Sequence, residues 1–174
     1  MNILVVSDSH GKVDRLCRAV ELNFDTDAII HLGDGYSDLK YVKLPDVPKH
    51  IVKGNGEDWS GYRGDGIPRE LHLDLGGIKF LLMHGHTHNV KSGYDRAALY
   101  AYNMGADVLL FGHTHGAIEK YLPTGTRLGG TVIERPMWVF NPGSIGEPRF
   151  GEPKFGLITI RDGQLLLSHG EIDF

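Results

Sequence analysis

Short apolar runs alternate with helical patterns through the first third of the chain. Residues 2–6 form an apolar run that ends in a polar loop, which predicts a buried strand, and a helix is predicted over about 12–23. Further strands are predicted over 27–32 and 49–53, with a short helical piece over 37–42 between them. Strands that alternate with helices indicate an α/β protein with parallel strands.

Strand patterns dominate the rest of the chain. Residues 69–75 and 78–83 flank Gly76-Gly77, which predicts a β-hairpin. A helix is predicted over 94–104, closed by Gly105 and followed by a strand over 107–111. More strands are predicted over 118–122, 131–134, 137–140, 155–161 and 164–168. The pattern therefore predicts one α/β domain over 1–174, with mixed sheets and helices on both outer faces.

Two glycine-containing polar stretches are predicted to be loops. Residues 54–58 follow the strand over 49–53, and residues 59–68 are rich in Gly and polar side chains. The second stretch is expected to be exposed and to lie over the functional site.

Composition and charge exclude several classes of protein. Hydrophobic residues make up 41% and charged residues 23%, which predicts a folded, soluble chain. A formal net charge of -4 argues against strong nucleic-acid binding through phosphate neutralisation. The chain lacks an apolar run of membrane-spanning length and a leader pattern, so we expect no membrane association. Its single cysteine, Cys17, fits a reducing compartment and predicts cytoplasmic residence.

Side chains with metal-binding chemistry follow the predicted strands. Five loops carry two carboxylates, an amide and four imidazoles: Asp8, His10, Asp34, Asn55, His84, His113 and His115. Loops beyond the carboxyl ends of strands converge in open α/β sheets, so we expect these groups to meet. Seven donors would overfill one catalytic Zn²⁺, whereas two cations that share a carboxylate would use them all. Oxygen and nitrogen donors suit Mn²⁺, our preferred prediction, and also Ni²⁺, Zn²⁺, Fe²⁺ and Co²⁺.

The ordered motifs resemble those of the calcineurin-like metallophosphoesterase superfamily. They are Asp8-x-His10, Gly33-Asp34, Gly54-Asn55, His84-Gly85-His86 and Gly112-His113-Thr114-His115. Together with Asn141-Pro142-Gly143-Ser144 and the short length, they resemble its small bacterial and archaeal phosphodiesterases, the branch related to the retromer subunit Vps29. The resemblance implies a four-layer αββα sandwich of two mixed β-sheets flanked by helices.

The resemblance also implies a ligand set for each cation. One cation would be bound by Asp8, His10, Asp34 and His115, and the other by Asp34, Asn55, His84 and His113, with Asp34 as the bridge. Two cations about 3.5 to 4 Å apart lower the pKa of a shared water. We therefore hypothesise in-line attack of a metal-bridging hydroxide on phosphorus, which inversion at a chiral phosphorothioate would support and retention would exclude.

One position departs from the family pattern. Many larger members have a proton-donating His after the Gly-Asn motif, but here Gly56 follows, with Glu57 and Asp58 after it. General acid assistance is worth about 10² to 10⁴-fold, so turnover should depend strongly on the leaving group. His86 is the candidate donor or phosphate ligand, which makes Asp34, Asn55 and His86 the predicted catalytic residues.

The predicted charge of the centre favours a substrate class. Two divalent cations, two carboxylates and a hydroxide leave about one positive charge, which matches a singly charged phosphodiester, small or nucleotide-like, better than a monoester. The alternatives are a phosphomonoesterase and a metal-binding protein-interaction scaffold of the same fold. Strand edges after Phe155 would permit a homo-oligomer without requiring one.

Histidines and acids outside the motifs are expected to have ordinary roles. His31 is predicted to be structural and Asp38 to brace the loop after Asp34, while the role of His88 stays open. His50, His72 and His169 are predicted to lie at the surface.

Overall fold

The computed structural model describes residues 1–59 and 66–173. The strands in these residues are β1 (Asn2–Val6), β2 (Ala28–His31), β3 (Lys49–Ile51), β4 (Glu70–Leu75), β5 (Ile78–Met83), β6 (Val108–Phe111), β7 (Ala117–Leu122), β8 (Arg127–Leu128), β9 (Thr131–Val132), β10 (Met137–Pro142), β11 (Lys154–Arg161) and β12 (Gln164–Glu171). The α-helices are α1 (Val13–Leu22), α2 (Asn55–Trp59) and α3 (Asp95–Asn103). Shorter 3₁₀ segments lie at Tyr36–Tyr41, His86–His88 and Val90–Ser92.

Two five-stranded mixed sheets form the centre of the fold. The first has the order β12-β11-β1-β2-β3, in which β1, β2 and β3 are parallel. The second has the order β4-β5-β6-β10-β7, in which β5, β6 and β10 are parallel. In the first sheet β11 runs antiparallel to both β1 and β12, and in the second sheet the edge strands β4 and β7 run antiparallel to their neighbours.

Side chains alternate between two cores along the apolar strands. In β1, Ile3 and Val5 join a buried cluster that also contains Phe80 and Leu110 of the second sheet, so the two sheets pack face to face. The alternate β1 residues contact Leu16 and other apolar residues of α1. Helix α3 covers the outer face of the second sheet in the same way. The predicted four-layer αββα sandwich is confirmed.

The structure corrects several sequence-based boundaries. Part of the predicted loop over 54–58 is the helix Asn55–Trp59. The strand predicted over 131–134 is only Thr131–Val132, and it pairs with β8 in a separate two-stranded sheet. The predicted loop over 59–68 lies largely outside the described residues, so its expected position over the site stays a prediction.

All six parallel strands end at one edge of the sandwich. In the first sheet Val6 is in register with His31, and His31 with Ile51. In the second sheet Met83 is in register with Phe111. Because parallel strands in register end together, the loops that follow them are brought to a common edge.

The helices are short relative to the thickness of a bilayer. Helix α1 has 10 residues, and no helix in residues 1–59 and 66–173 combines the length and hydropathy needed to cross a membrane.

Candidate metal centre

The structure brings all seven predicted ligand side chains together at this edge. Asp8, His10 and His115 form one group whose donor atoms lie within 4.8 Å of one another. Asp34, His84 and His113 form a second such group. Asn55 Oδ1 lies 3.2 Å from His84 Nε2, which places the amide beside the second group.

Asp8 stands at the centre of the first group. One oxygen, Oδ2, accepts hydrogen bonds from the Ser7 hydroxyl at 2.5 Å and the His113 backbone N–H at 3.1 Å. The other oxygen, Oδ1, is buried and has no hydrogen bond within the described residues. It nevertheless lies 3.3 Å from His115 Nε2 and 3.8 Å from His10 Nε2. An anionic oxygen without a donor costs free energy in a protein interior, and a cation among these atoms would remove that cost.

His84 connects the two groups. Its Nε2 atom lies 3.9 Å from Asp8 Oδ1 and 3.4 Å from Asp34 Oδ2. The same atom is 3.1 Å from His113 Nδ1. Nitrogen and oxygen atoms from several loops thus face one small volume, an arrangement that suits ligands of a shared centre better than isolated hydrogen bonds.

Outer hydrogen bonds orient two of the imidazoles. His84 Nδ1 is 2.7 Å from the Leu32 carbonyl, and His115 Nδ1 is 2.6 Å from the Glu147 carbonyl. A carbonyl can only accept, so each Nδ1 carries a proton, and each Nε2 presents a lone pair to the site when its ring is neutral. Metal-binding histidines are commonly held in this way.

Most of the predicted ligands have a left-handed backbone. The φ angles of Asp8, His10, Asp34, His113 and His115 lie between 45° and 66°. Non-glycine residues with positive φ are uncommon, and they concentrate at sites where the surrounding structure holds the strain. Five such residues in the two groups therefore point to this edge as the candidate functional region.

Glu57 holds two of the ligand loops together, a role that sequence reasoning missed. Its carboxylate accepts backbone N–H groups from Asp34 at 2.9 Å, Gly35 at 2.6 Å and Gly54 at 2.8 Å. The Gly56 N–H in turn donates to Asp34 Oδ1 at 2.7 Å. Helix α2 therefore positions Asp34 from both sides. An acid directly after Gly-Asn-Gly was the signal available in the sequence.

A sixth loop, residues 143–149 after β10, braces the first group. Ser144 Oγ donates to the Asp8 carbonyl at 2.8 Å, and the Gly146 N–H donates to the same carbonyl at 3.1 Å. Asn141 Nδ2 donates to the Gly112 carbonyl at 2.9 Å, which fixes the loop that carries His113. The Asn141-Pro142-Gly143-Ser144 motif thus has a positioning role beyond its turn geometry.

Electrostatics keep the two carboxylates ionised. Burial alone would raise the pKa of Asp8, but the neighbouring His115 and the charge of His84 outweigh it and lower that pKa. Burial of Asp34 is outweighed in the same way, mainly by His84, so its pKa lies well below the usual range. Burial, assisted by the positive charges of His84 and Lys91, lowers the pKa of His113 to about 4. Anionic carboxylates and a neutral imidazole are the states that bind cations.

His86 lies beside the second group. Its ring centroid is 5.5 Å from that of His84 and 6.1 Å from that of His113. Its Nε2 atom is 3.4 Å from Asp58 Oδ2, and Arg69 Nε donates to the same oxygen at 3.0 Å. Burial and the charge of His84 lower the pKa of His86. The structure therefore places the predicted proton donor at the edge of the centre.

The remaining predicted residues fall into different environments. His31 is fully buried, and burial lowers its pKa to about 4. Asp38 accepts from the Ser9 hydroxyl at 2.7 Å and the Gly11 N–H at 2.8 Å, so it braces the loop of His10. His88 packs against Tyr100, away from both groups.

Of the three histidines predicted to lie at the surface, His72 is exposed and His50 is only partly buried. His169 is also only partly buried, and its ring has specific contacts. Its ring stacks on Phe140 at 4.6 Å and its Nε2 contacts the Asn141 carbonyl at 2.8 Å.

The donor set fits divalent cations. It offers two buried carboxylates, one amide oxygen and four imidazoles without thiolate, a mixture suited to Mn²⁺, Fe²⁺, Co²⁺, Ni²⁺ or Zn²⁺. The buried Asp8 Oδ1 atom, without a donor among the described residues, is the feature that a cation would satisfy most directly.

The αββα sandwich and its paired imidazole and carboxylate groups define a metal-binding α/β protein. The sequence profile of the calcineurin-like phosphoesterase superfamily domain matches residues 1–163. The chain belongs to this family, which supports a phosphoester hydrolase that uses divalent metal ions.

Similar proteins agree with this assignment. The chain is 34% identical to "Probable metallophosphoesterase YsnB" of Bacillus subtilis over 164 residues, which cover 93% of this chain and 86% of that protein. It is 25% identical to a phosphodiesterase of Methanocaldococcus jannaschii over 171 residues, with 91% and 92% covered. The crystal structure of Vps29 from Entamoeba histolytica complexed with Zn²⁺ has the same fold, with a TM-score of 0.62, 22% identity and coverage of 98% and 99%.

Proposed function

We propose that the protein is a phosphodiesterase that uses two divalent cations. One cation would be held by Asp8, His10, Asp34 and His115, and the other by Asp34, Asn55, His84 and His113. The main support for the proposal is the position of His84 Nε2, which lies 3.9 Å from Asp8 Oδ1 and 3.4 Å from Asp34 Oδ2. This atom joins the two groups into one centre. Mn²⁺ is the preferred cation, and the single cysteine is consistent with the cytoplasmic residence predicted above.

Two bound cations would supply an activated water and positive charge for the phosphate oxygens. The chain's own residues would set the geometry of this chemistry. Asp34 faces the second group through Oδ2 while its Oδ1 is held by Gly56, so the carboxylate cannot rotate freely. Asn55 offers a neutral oxygen beside His84, which adds a ligand without adding negative charge. Phosphate and cations therefore meet a preorganised set of donors.

A similar M. jannaschii protein named as a phosphodiesterase supports the choice of a diester. The expected charge of the centre, about one positive unit, supports it independently. A phosphomonoesterase and a protein-interaction scaffold are the competing functions, and the fold shared with Vps29 favours the scaffold as the second candidate.

Metal dependence tests the proposal. Metal-stripped protein should not hydrolyse bis(p-nitrophenyl) phosphate, and addition of Mn²⁺, Ni²⁺ or Zn²⁺ should restore turnover because the donor set then holds its cations. The measurement is release of p-nitrophenol, with p-nitrophenyl phosphate as the parallel monoester. Faster hydrolysis of the monoester would favour a phosphomonoesterase over the proposed phosphodiesterase. If the protein binds the metal but hydrolyses neither ester with any metal, the protein-interaction scaffold would be the remaining candidate function.

His86 is proposed as the proton donor to the leaving group. His86→Gln should lower kcat/KM for phenyl methyl phosphate by about 10²-fold, because general acid assistance is worth that much when the leaving group is poor. The loss for p-nitrophenyl methyl phosphate should be much smaller, since nitrophenolate leaves without a proton. His88→Gln, two positions along the same segment, is the matched control. Equal losses for the two esters in His86→Gln would contradict a role in proton donation.

A further inference from the structure

Two adjoining clefts open beside the imidazoles of His113 and His115. One has a volume of about 450 Å³ and the other about 560 Å³. Both are lined by His115 together with Lys91 and Arg149. Volumes of this size are typical of sites for small molecules, which occupy about 300 to 1,000 Å³. A substrate whose phosphate is at the metal centre would thus have room for one of its arms here.

Lys91 and Arg149 bring unneutralised positive charge to these clefts. Neither forms an ion pair within residues 1–59 and 66–173, whereas Lys154, which lines the larger cleft, pairs with Glu171. Glu147 is the single carboxylate among the residues that line the two clefts in the described chain. The clefts are therefore suited to an anionic group, with Glu147 opposing it.

Backbone contacts hold both cationic residues next to the centre. The Arg149 N–H donates to the His115 carbonyl at 2.9 Å. Lys91 lies between Val90 and Ser92 in a 3₁₀ segment. Val90 is buried and anchors this segment in the core beneath α3, and the Ser92 N–H donates to the Asn89 carbonyl. The backbone of both cationic residues is thus held beside the loops that carry the predicted ligands.

An aromatic ring stands at the mouth of the larger cleft. Phe150 is 76% exposed, and the Arg149 guanidinium lies 5.5 Å from its ring centroid. An exposed ring beside cationic side chains is suited to stacking with a nucleobase, a contact that every base can make. The cleft therefore combines an aromatic wall with a place for negative charge.

We propose that the larger cleft binds a phosphorylated nucleoside arm of the substrate. Lys91 and Arg149 would hold the phosphate of this arm, which is a second phosphate in addition to the reacting diester. The inference rests on the proposed phosphodiesterase function. The reacting diester carries one negative charge, which matches the metal centre, while a second phosphate carries about two at neutral pH. Lys91 and Arg149 supply the two positive charges that the metal centre lacks. Phosphate is also the group that Arg binds with paired hydrogen bonds.

The experiment compares two esters with the same reacting group. These are thymidine 5′-(p-nitrophenyl phosphate) and its 3′-phosphorylated form, assayed with Mn²⁺-loaded protein through release of p-nitrophenol. The 3′-phosphate should raise kcat/KM about tenfold, the typical value of a charge-assisted hydrogen bond. Lys91→Ala and Arg149→Ala should each remove most of this preference, and Glu147→Gln should increase it.

Matched controls separate the subsite from general charge effects. Lys120→Ala removes an exposed lysine on β7 and should leave the preference at its native value. Equal kcat/KM values for the two esters in the native protein would contradict the subsite. Losses of similar size for both esters in Lys91→Ala and Arg149→Ala would also contradict it, because the cations would then act on the reacting phosphate.

A binding measurement separates this inference from the proposed function. Calorimetry with thymidine 3′,5′-bisphosphate and thymidine 5′-monophosphate, in metal-free and Mn²⁺-loaded protein, measures the preference without turnover. Tighter binding of the bisphosphate would support the subsite if Lys91→Ala and Arg149→Ala abolish the difference in affinity. This support would hold even if no ester were hydrolysed, in which case only the proposed phosphodiesterase function would fail. Equal affinity for the two nucleotides would overturn the subsite whatever the turnover.

Discussion

Asp34→Asn is expected to reduce kcat/KM for bis(p-nitrophenyl) phosphate by about 10³-fold. The substitution removes the one anionic group assigned to both cations, and loss of even an outer partner of a metal ligand costs about 10 to 100-fold. The fold should persist, because an Asn carbonyl oxygen can still accept the Gly56 N–H that Asp34 Oδ1 accepts. Asn also tolerates the φ of 55° at this position.

Two measurements check this expectation together. Metal content after dialysis should fall from two cations to one or none, while the thermal unfolding midpoint of the metal-free protein should stay near the native value. Asp46→Asn, a change of the same kind at an exposed position, should alter neither quantity. Retention of both cations and of native turnover in Asp34→Asn would remove Asp34 from the bridging position.

Gly112→Ala is expected to disrupt the first ligand group and to destabilise the fold. A Cβ atom at Gly112 would overlap Ser7 Oγ and lie 2.9 Å from Asp8 Oδ2. Asp8 is fully buried and has no room to move away. Overpacking of this kind costs about 1 to 3 kcal/mol, which corresponds to a decrease of about 2 to 12 °C in Tm for a chain of this size.

The next glycine of the same loop provides the control for this variant. A Cβ atom at Gly116 would have no neighbour closer than 3.9 Å. Gly116→Ala should therefore keep the native Tm and metal content, whereas Gly112→Ala should lose affinity for the cation assigned to Asp8. Calorimetric unfolding and titration with Mn²⁺ measure the two effects. Equal behaviour of the two variants would show that the Gly112 contact does not constrain Asp8.

The strand ends were predictable because the pattern of burial changes there. The apolar run of β1 stops where Ser7 and Asp8 begin, and that of β6 stops at Gly112. Side chains that pack between or outside the sheets must be apolar up to the edge, so the first polar residue marks the loop. This change of pattern was enough to locate the seven predicted ligands in five loops, whereas the four-layer order was predicted from the family resemblance.

Helix α2 could not be predicted from local preference. Asn55 and Gly56 are poor helix formers, and a five-residue helix is not stable alone. Two of the three N–H groups that Glu57 accepts come from Asp34 and Gly35 in the loop after β2, and the third comes from Gly54 just before the helix, so the helix depends on contacts between segments distant in sequence. The cationic cleft was equally hidden, because Lys91 and Arg149 approach each other only through the fold.

The two ligand groups each take side chains from both sheets. Asp8 and His10 follow a strand of the first sheet, whereas His115 follows β6 of the second, and the other group is divided in the same way. A cation bound there would cross-link the two sheets in addition to their apolar core and the hydrogen bonds between their loops. One cation at about 100 times its dissociation constant would add about 2.7 kcal/mol to stability, so the supply of metal would affect the stability of the folded chain as well as its chemistry.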